Sequence, residues 1–249
     1  MAITIKSPEQ IKKMRAAGDI LRRLDLVLQA EIKAGITTKE LDTIAEDFIR
    51  SNGAIPGFKG YGGFPGTLCI SVNEEVIHGI PGPRKLKDGD IVSIDMGSIV
   101  DGFYGDCART YGVGEISEAD KKLIEVTKQS FFEGIKYAKA GNHLYEISAA
   151  IQKYVESNGF SVVRDLCGHG VGVEFHEEPD VEHFGKKGTG MLLVPGMTFT
   201  IEPMINMGTH EVFVDEEDDW TVVTEDELPS AQWEHTFVMT ENGLEILTY

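Results

Sequence analysis

Cysteine is scarce. The 249 residues hold three, Cys69, Cys107 and Cys167, and none forms a CxxC pair. An odd, scattered set excludes a disulfide framework and argues against a zinc site built from thiolates, so a reducing, cytoplasmic setting is expected. Positive charge is also short: 23 Lys and Arg stand against 41 Asp and Glu, a net charge of -18. Such a surface repels phosphate backbones and anionic lipid, so neither specific DNA binding nor membrane attachment is expected. No apolar run approaches the roughly 20 residues that span a bilayer. Met1 to Arg15 mixes Lys, Glu and Gln among its apolar residues, and neither a signal peptide nor a transmembrane helix is expected. Proline numbers only nine against 28 glycines and an apolar share of 41%, which excludes disordered and collagen-like chains. The expectation is one soluble unit over residues 1–249, a monomer with room for a sizeable core.

Local signals fix the start of the chain. Ser7-Pro8-Glu9-Gln10 reads as an N-cap, a first-turn proline and a capping-box Gln, followed by Ile11, Met14, Leu21, Leu24 and Leu28 at helical spacing over about residues 8–32. Thr37 and Glu40 repeat the capping-box spacing, and Asn52-Gly53 ends a second helix. Residues 57–66 are glycine-rich with interleaved aromatics, which predicts an irregular loop. Short strands are predicted at Leu68 to Val72, Ile91 to Asp95 and Phe103 to Asp106.

An internal repeat carries more information. KAGITTKELDTIAEDFIRSNG from Lys33 aligns with KAGNHLYEISAAIQKYVESNG from Lys139, and LKDGDIVSIDMG from Leu86 aligns with LVPGMTFTIEPM from Leu193. The second alignment sets Asp95 opposite Glu202. The pattern predicts an α/β (α+β) chain of two related halves, about 33–110 and 139–240, around a pseudo-two-fold axis, with a site where they meet.

Five residues stand out as ligands: Asp95, Asp106, His169, Glu202 and Glu234. Four carboxylates cannot converge unaided, because two like charges about 4 Å apart cost around 4 kcal/mol at an effective dielectric of about 20. Two divalent ions balance such a set, and its oxygen-rich character favours Mn, Fe(II) or Co. Each residue alone has a plainer reading. Asp95 and Glu202 read singly as edge-strand charges, His169 between glycines as a hydrogen-bonded core residue, and Tyr61, Phe64, Phe175 and Trp220 as core aromatics. Asp215 to Asp219 lacks the glycine and spacing of a calcium loop and reads as a solvated turn.

Read together, His78-Gly79-Ile80-Pro81, Asp95 with Asp106, Gly168-His169-Gly170, Phe175-His176-Glu177-Glu178-Pro179, Thr200-Ile201-Glu202-Pro203 and Ser230-Ala231-Gln232-Trp233-Glu234-His235 match in order and spacing the type I methionine aminopeptidases of the short bacterial kind. The resemblance covers nearly the whole chain. It implies the pita-bread fold and removal of the initiator methionine from nascent chains with a small second residue. It makes Asp95, Asp106, His169, Glu202 and Glu234 the ligands of a dinuclear site, with Asp106 and Glu234 bridging and a shared hydroxide attacking the first peptide bond. His78 is implied near the scissile amide, His176 at the tetrahedral intermediate and Glu202 as proton relay. Tyr61, Phe64, Phe175 and Trp220 are implied to form the methionine pocket, with Phe58 standing where some relatives carry cysteine. Asn73, Glu75 and Ser230 fall where relatives hold a monovalent cation (Na or K).

Two rivals follow from the same residues. A prolidase-type peptidase shares the ligands but usually carries a large N-terminal domain, whereas about 30 residues precede the first repeat here. A catalytically dead ribosome-binding relative would have lost ligands, and all five are present. Lys6, Lys12, Lys13, Arg15, Arg22 and Arg23 offer a local basic face for transient ribosome contact, although a solvated helix face is the plainer reading. Met1-Ala2 is itself a substrate sequence for a second copy acting in trans.

Overall fold

Two capping boxes open the chain. In the computed structural model, which describes residues 3–249, helix α1 (Pro8–Glu31) begins with Ser7 accepting from the Gln10 N–H while the Gln10 side chain accepts from the Ser7 N–H at 2.8 Å. Helix α2 (Thr38–Ser51) repeats the device with Thr37 and Glu40. Both boxes satisfy amides that the first turn leaves unpaired, which is why these boundaries follow from local sequence. Met1 and Ala2, the substrate-like end, lie outside the described residues. Helices α3 (Glu118–Ile135) and α4 (Tyr145–Ser157) follow later in the chain.

Up to Gly112 the strands are β1 (Ile55–Pro56), β2 (Leu68–Val72), β3 (Glu75–Ile77), β4 (Ile91–Val100) and β5 (Phe103–Gly112). After α4 come β6 (Ser161–Val162), β7 (Gly168–Gly170), β8 (Glu177–Val181), β9 (Thr198–Ile201) and β10 (Met204–Asn206). The chain ends with β11 (Val212–Val214), β12 (Val222–Thr224), β13 (Ser230–Gln232), β14 (His235–Thr240) and β15 (Gly243–Ile246). One large sheet runs β1-β4-β2 with β5 also on β4, and the other runs β15-β14-β9-β7-β8. The aligned repeat windows contribute α2 and α4, then β4 and the β9–β10 pair.

Each large sheet buries one face under helices. Leu21, Leu24 and Leu28 of α1 and Leu41, Ala45 and Ile49 of α2 pack with Leu68, Ile70, Val92 and Ile94, each fully buried aliphatic contributing about 1.5–3 kcal/mol. Phe131 of α3 and Ile147 and Ile151 of α4 pack with Phe199, Ile201 and Phe237. Thr236 ties the sheets together, its hydroxyl donating to the Asp106 carbonyl at 2.8 Å and accepting from the Asp106 N–H at 3.0 Å.

Two expectations are revised. The strands β4 and β5 run well past Asp95 and Asp106, because pairing with β1, β2 and each other carries β4 through Gly97 to Val100 and β5 on to Gly112. Lys6 does not belong to an exposed basic face: its side chain is 1% exposed and paired with Glu177. Arg15 pairs with Glu245, and Arg22 and Arg23 with Asp19. The acidic run at Asp215 to Asp219 is the β11–β12 turn, where Asp218 accepts from the Trp220 and Thr221 N–H groups.

Candidate metal centre

The register of β4 and β5 sets the first two carboxylates. Asp106 pairs with Gly97 and Ala108 with Asp95, so the acids sit diagonally and leave one face of the hairpin. Gly97, opposite Asp106, leaves room for the Phe58 ring, from which a Cβ there would lie 2.4 Å. Glu202 follows β9 and Glu234 precedes β14, and His235 pairs with Ile201, which brings these two acids to one edge of their sheet. His169 sits in the middle of β7, where Gly170 allows a close crossing: a Cβ on it would fall 2.2 Å from the Glu178 carbonyl oxygen.

The five side chains converge. Ligand atoms of Asp106, His169 and Glu234 all lie within 4.8 Å of one another. His169 Nε2 is 3.6 Å from Asp106 Oδ2 and 3.7 Å from Glu202 Oε1, and Asp95 is adjacent to both Asp106 and Glu234. His169 Nδ1 lies 2.9 Å from the Gly170 carbonyl, which can only accept, so Nδ1 carries the proton and Nε2 turns to the acids. This is the tautomer that metal-ligating imidazoles adopt. Burial pushes Asp106 and Glu202 up to about 8. Burial and the neighbouring Asp106 drive Asp95 and Glu234 well above the carboxylate range. Asp95 Oδ1, Asp106 Oδ1 and Glu234 Oε1 are buried with no hydrogen-bond partner. Orphaned, repelling oxygens around an imidazole lone pair fit divalent cations, which satisfy all of them at once.

A consequence is measurable without substrate. Carboxyl groups whose folded pKa values lie above their unfolded values near 4 stabilise the fold fully below pH 4 and lose that contribution as pH rises towards about 8. The chelated protein is therefore expected to melt several degrees lower at pH 8 than at pH 6. Adding Mn²⁺ is expected to abolish most of that difference. Thermal unfolding with and without metal checks this, and a chelated protein equally stable at both pH values would contradict it.

Beside the acids lies an apolar slot. A cavity of about 80 Å³ is lined by Phe58, Tyr61, Phe64, Cys69, His78, Asp95, Phe175, His176 and Trp220. Phe175 packs on Phe58 at 5.2 Å and on Tyr61 at 5.0 Å, and Phe64 on Trp220 at 5.2 Å. Asp95, His78, Phe175 and His176 also line a larger cleft of about 390 Å³ that holds Asp106, His169 and Glu202, so the slot opens onto the acids. His78 has a left-handed backbone, φ 61°, a strained state for a non-glycine residue that recurs at functional sites. Burial, then the charge of His169, pushes His78 down to about 4, and the same causes push His176 down.

Several contacts have no signal in the sequence. The Tyr61 hydroxyl lies 2.8 Å from His176 Nδ1. Thr200 donates to Glu202 Oε1 at 2.7 Å, and the buried His183 Nε2 accepts from the Glu202 N–H at 3.0 Å. Cys69 joins the slot because it pairs with Asp95 across β2 and β4. Asn73, Glu75 and Ser230 also meet: the Ser230 N–H donates to the Asn73 carbonyl at 2.9 Å. Their side chains already have protein partners in Asp90, Arg84 and the Ile205 carbonyl.

The chain as a whole is similar to known proteins. Methionine aminopeptidase 1 of Bacillus subtilis (strain 168) is 53% identical over 246 residues, covering 99% of each chain. A crystal structure of methionine aminopeptidase from Rickettsia prowazekii superposes with a TM-score of 0.98 at 43% identity, covering 100% of both chains. The prolidase of Pyrococcus furiosus matches with a TM-score of 0.79 at 25% identity, and there the match covers 98% of this chain but 65% of that one. The fold is thus the pita-bread arrangement. The model of metallopeptidase family M24 matches residues 12–241, a span that includes every acid and histidine of the cluster. This chain belongs to metallopeptidase family M24.

Proposed function

We propose that this metallopeptidase removes the N-terminal methionine from nascent proteins and peptides whose second residue is small. The observation that carries the reading is the apolar slot sharing Asp95, His78 and His176 with the carboxylate cleft. It seats an unbranched thioether with its peptide bond at the acids. Asp95, Asp106, His169, Glu202 and Glu234 would hold two divalent ions, Mn, Co or Fe(II), and the oxygen-rich donors support that choice. When bound, such a pair supplies Lewis acidity and brings the pKa of a water towards about 7.

The chain's own residues do the rest. Glu202 is held by Thr200 and His183 and carries a proton from the attacking water to the leaving amine. The Tyr61 hydroxyl, 2.8 Å from His176 Nδ1, orients the imidazole, whose Nε2, when protonated, is the donor for the developing oxyanion. His78 stands by the scissile amide. Phe58, Tyr61, Phe64, Phe175 and Trp220 exclude water from the side-chain slot.

The same reading takes residues 1–249 as one catalytic unit, its halves about 33–110 and 139–240 each delivering ligands. It acts as a monomer in the cytoplasm, where its three free cysteines persist. Among the described residues no helix is long and apolar enough to cross a membrane. Transient ribosome contact rests on Lys12 and Lys13, the cations of the α1 face left without a carboxylate partner among the described residues. A monovalent cation (Na or K) near Asn73, Glu75 and Ser230 would take main-chain oxygens, since the side chains are engaged.

Peptide specificity tests the reading. kcat/KM for Met-Ala-Ser is expected to exceed that for Leu-Ala-Ser by about 10–200-fold, the range open to an apolar slot distinguishing side chains by shape. Norleucine is expected to be accepted in place of methionine, and Met-Lys-Ser to be cleaved far more slowly than Met-Ala-Ser. Equal rates for Met-Lys-Ser and Met-Ala-Ser would reject methionine removal from small-second-residue chains.

A further inference from the structure

Arg109 takes no part in the chemistry described so far, yet it is a buried cation placed directly behind the acids. It lies on β5 three residues after Asp106 and is 6% exposed. No carboxylate lies within ion-pair distance of it among the described residues. Its Nη1 instead donates to two carbonyls, Ala108 at 2.7 Å and Glu234 at 2.5 Å. Its Nη2 lies 3.0 Å from His235 Nε2, and its guanidinium centre is 4.4 Å from the Trp233 ring. The Glu234 N–H donates to the Ala108 carbonyl at 2.9 Å, so the Glu234 peptide is fixed at both its ends to the strand that carries Asp106.

We infer that Arg109 is a positioning residue for the metal site: it clamps Glu234, delivered by the far end of the chain, to the strand that delivers Asp106. The inference rests on the reading of Asp106 and Glu234 as bridging ligands. The geometry favours Arg specifically. Its planar fork reaches the Glu234 carbonyl while the same group stacks on Trp233 and donates to His235, so the residues before and after Glu234 are held by one side chain. A lysine offers a point charge on a flexible stem and cannot make these contacts together. The side chain of Glu234 has a buried oxygen without a partner, so its main chain, and not a side-chain hydrogen bond at that oxygen, must set where the carboxylate points.

Partners one step removed from a metal typically alter its affinity by about 10–100-fold. Titration of Mn²⁺ into the chelated full-length protein by calorimetry, with EPR of the loaded sample for spin coupling between two ions, reads the effect directly. Arg109→Met is expected to weaken Mn²⁺ binding by about 10–100-fold and to diminish the coupled signal. Arg109→Lys is expected to fall between Arg109→Met and the parent. A merely structural role would lower the melting temperature of the chelated variants and leave the Mn²⁺ affinity of the folded protein unchanged. Affinity within about twofold of the parent, in Arg109→Met or, should that variant not fold, in Arg109→Lys, overturns the clamp alone. A parent protein that binds no Mn²⁺ overturns the ligand assignment and the clamp with it.

Discussion

Asp106→Ala is expected to lose bound metal and turnover together, whereas His176→Ala loses turnover with its metal retained. Asp106 sits at the centre of the cluster: it faces His169 Nε2 at 3.6 Å, lies beside Asp95 and shares one small space with Glu234. Removing it takes away the carboxylate at the centre of the group and leaves the remaining acids around a gap, so metal content measured by elemental analysis is expected to fall. His176 stands elsewhere. Its Nδ1 is taken by the Tyr61 hydroxyl and its ring packs 4.1 Å from that of His169 without entering the group of ligand atoms. Losing one preorganised oxyanion donor costs about 10²–10³ in kcat, with KM and metal content little changed. Loss of metal from a folded His176→Ala protein would show that the two roles are wrongly divided.

Glu202→Gln is the next most severe change expected. The amide keeps an oxygen for Thr200 and leaves the main-chain bond to His183 in place, so the variant should fold and retain metal in part. It cannot pass a proton. General acid–base catalysis contributes about 10²–10⁴-fold, and kcat is expected to fall by that much with substrate binding less affected. A Glu202→Gln protein within tenfold of the parent kcat would remove the relay from the mechanism and leave Glu202 as a ligand only.

The parts of this site differ in how far sequence reveals them. Helices α1 and α2 were legible at their starts because Ser7 with Gln10 and Thr37 with Glu40 close their boxes within one turn. Helix α4 carries the second copy of the repeat, yet its N-cap is Leu144, which offers no side-chain cap, so only alignment with Lys33 to Gly53 reveals it. The acids stood out by residue type and by the matching windows around Asp95 and Glu202. Their partners did not. Tyr61 meets His176 across 115 positions, and Arg109 meets Glu234 across 125, contacts that depend on how two sheets pack rather than on any local pattern. Lys6 shows the reverse error: charge alone assigned it to a surface, and the half-buried carboxylate of Glu177 holds it inside.

Release of free methionine from Met-Ala-Ser, followed in one preparation before chelation, after chelation and after return of Mn²⁺, Co²⁺ or Fe²⁺, puts the account to its hardest trial. Activity is expected to vanish as elemental analysis shows the metal leaving and to return with at least one of the three ions, while an Xaa-Pro peptide is cleaved far more slowly throughout. Full activity in protein shown to be metal-free, or a preference for the Xaa-Pro peptide, would contradict a metal-dependent enzyme built to remove methionine.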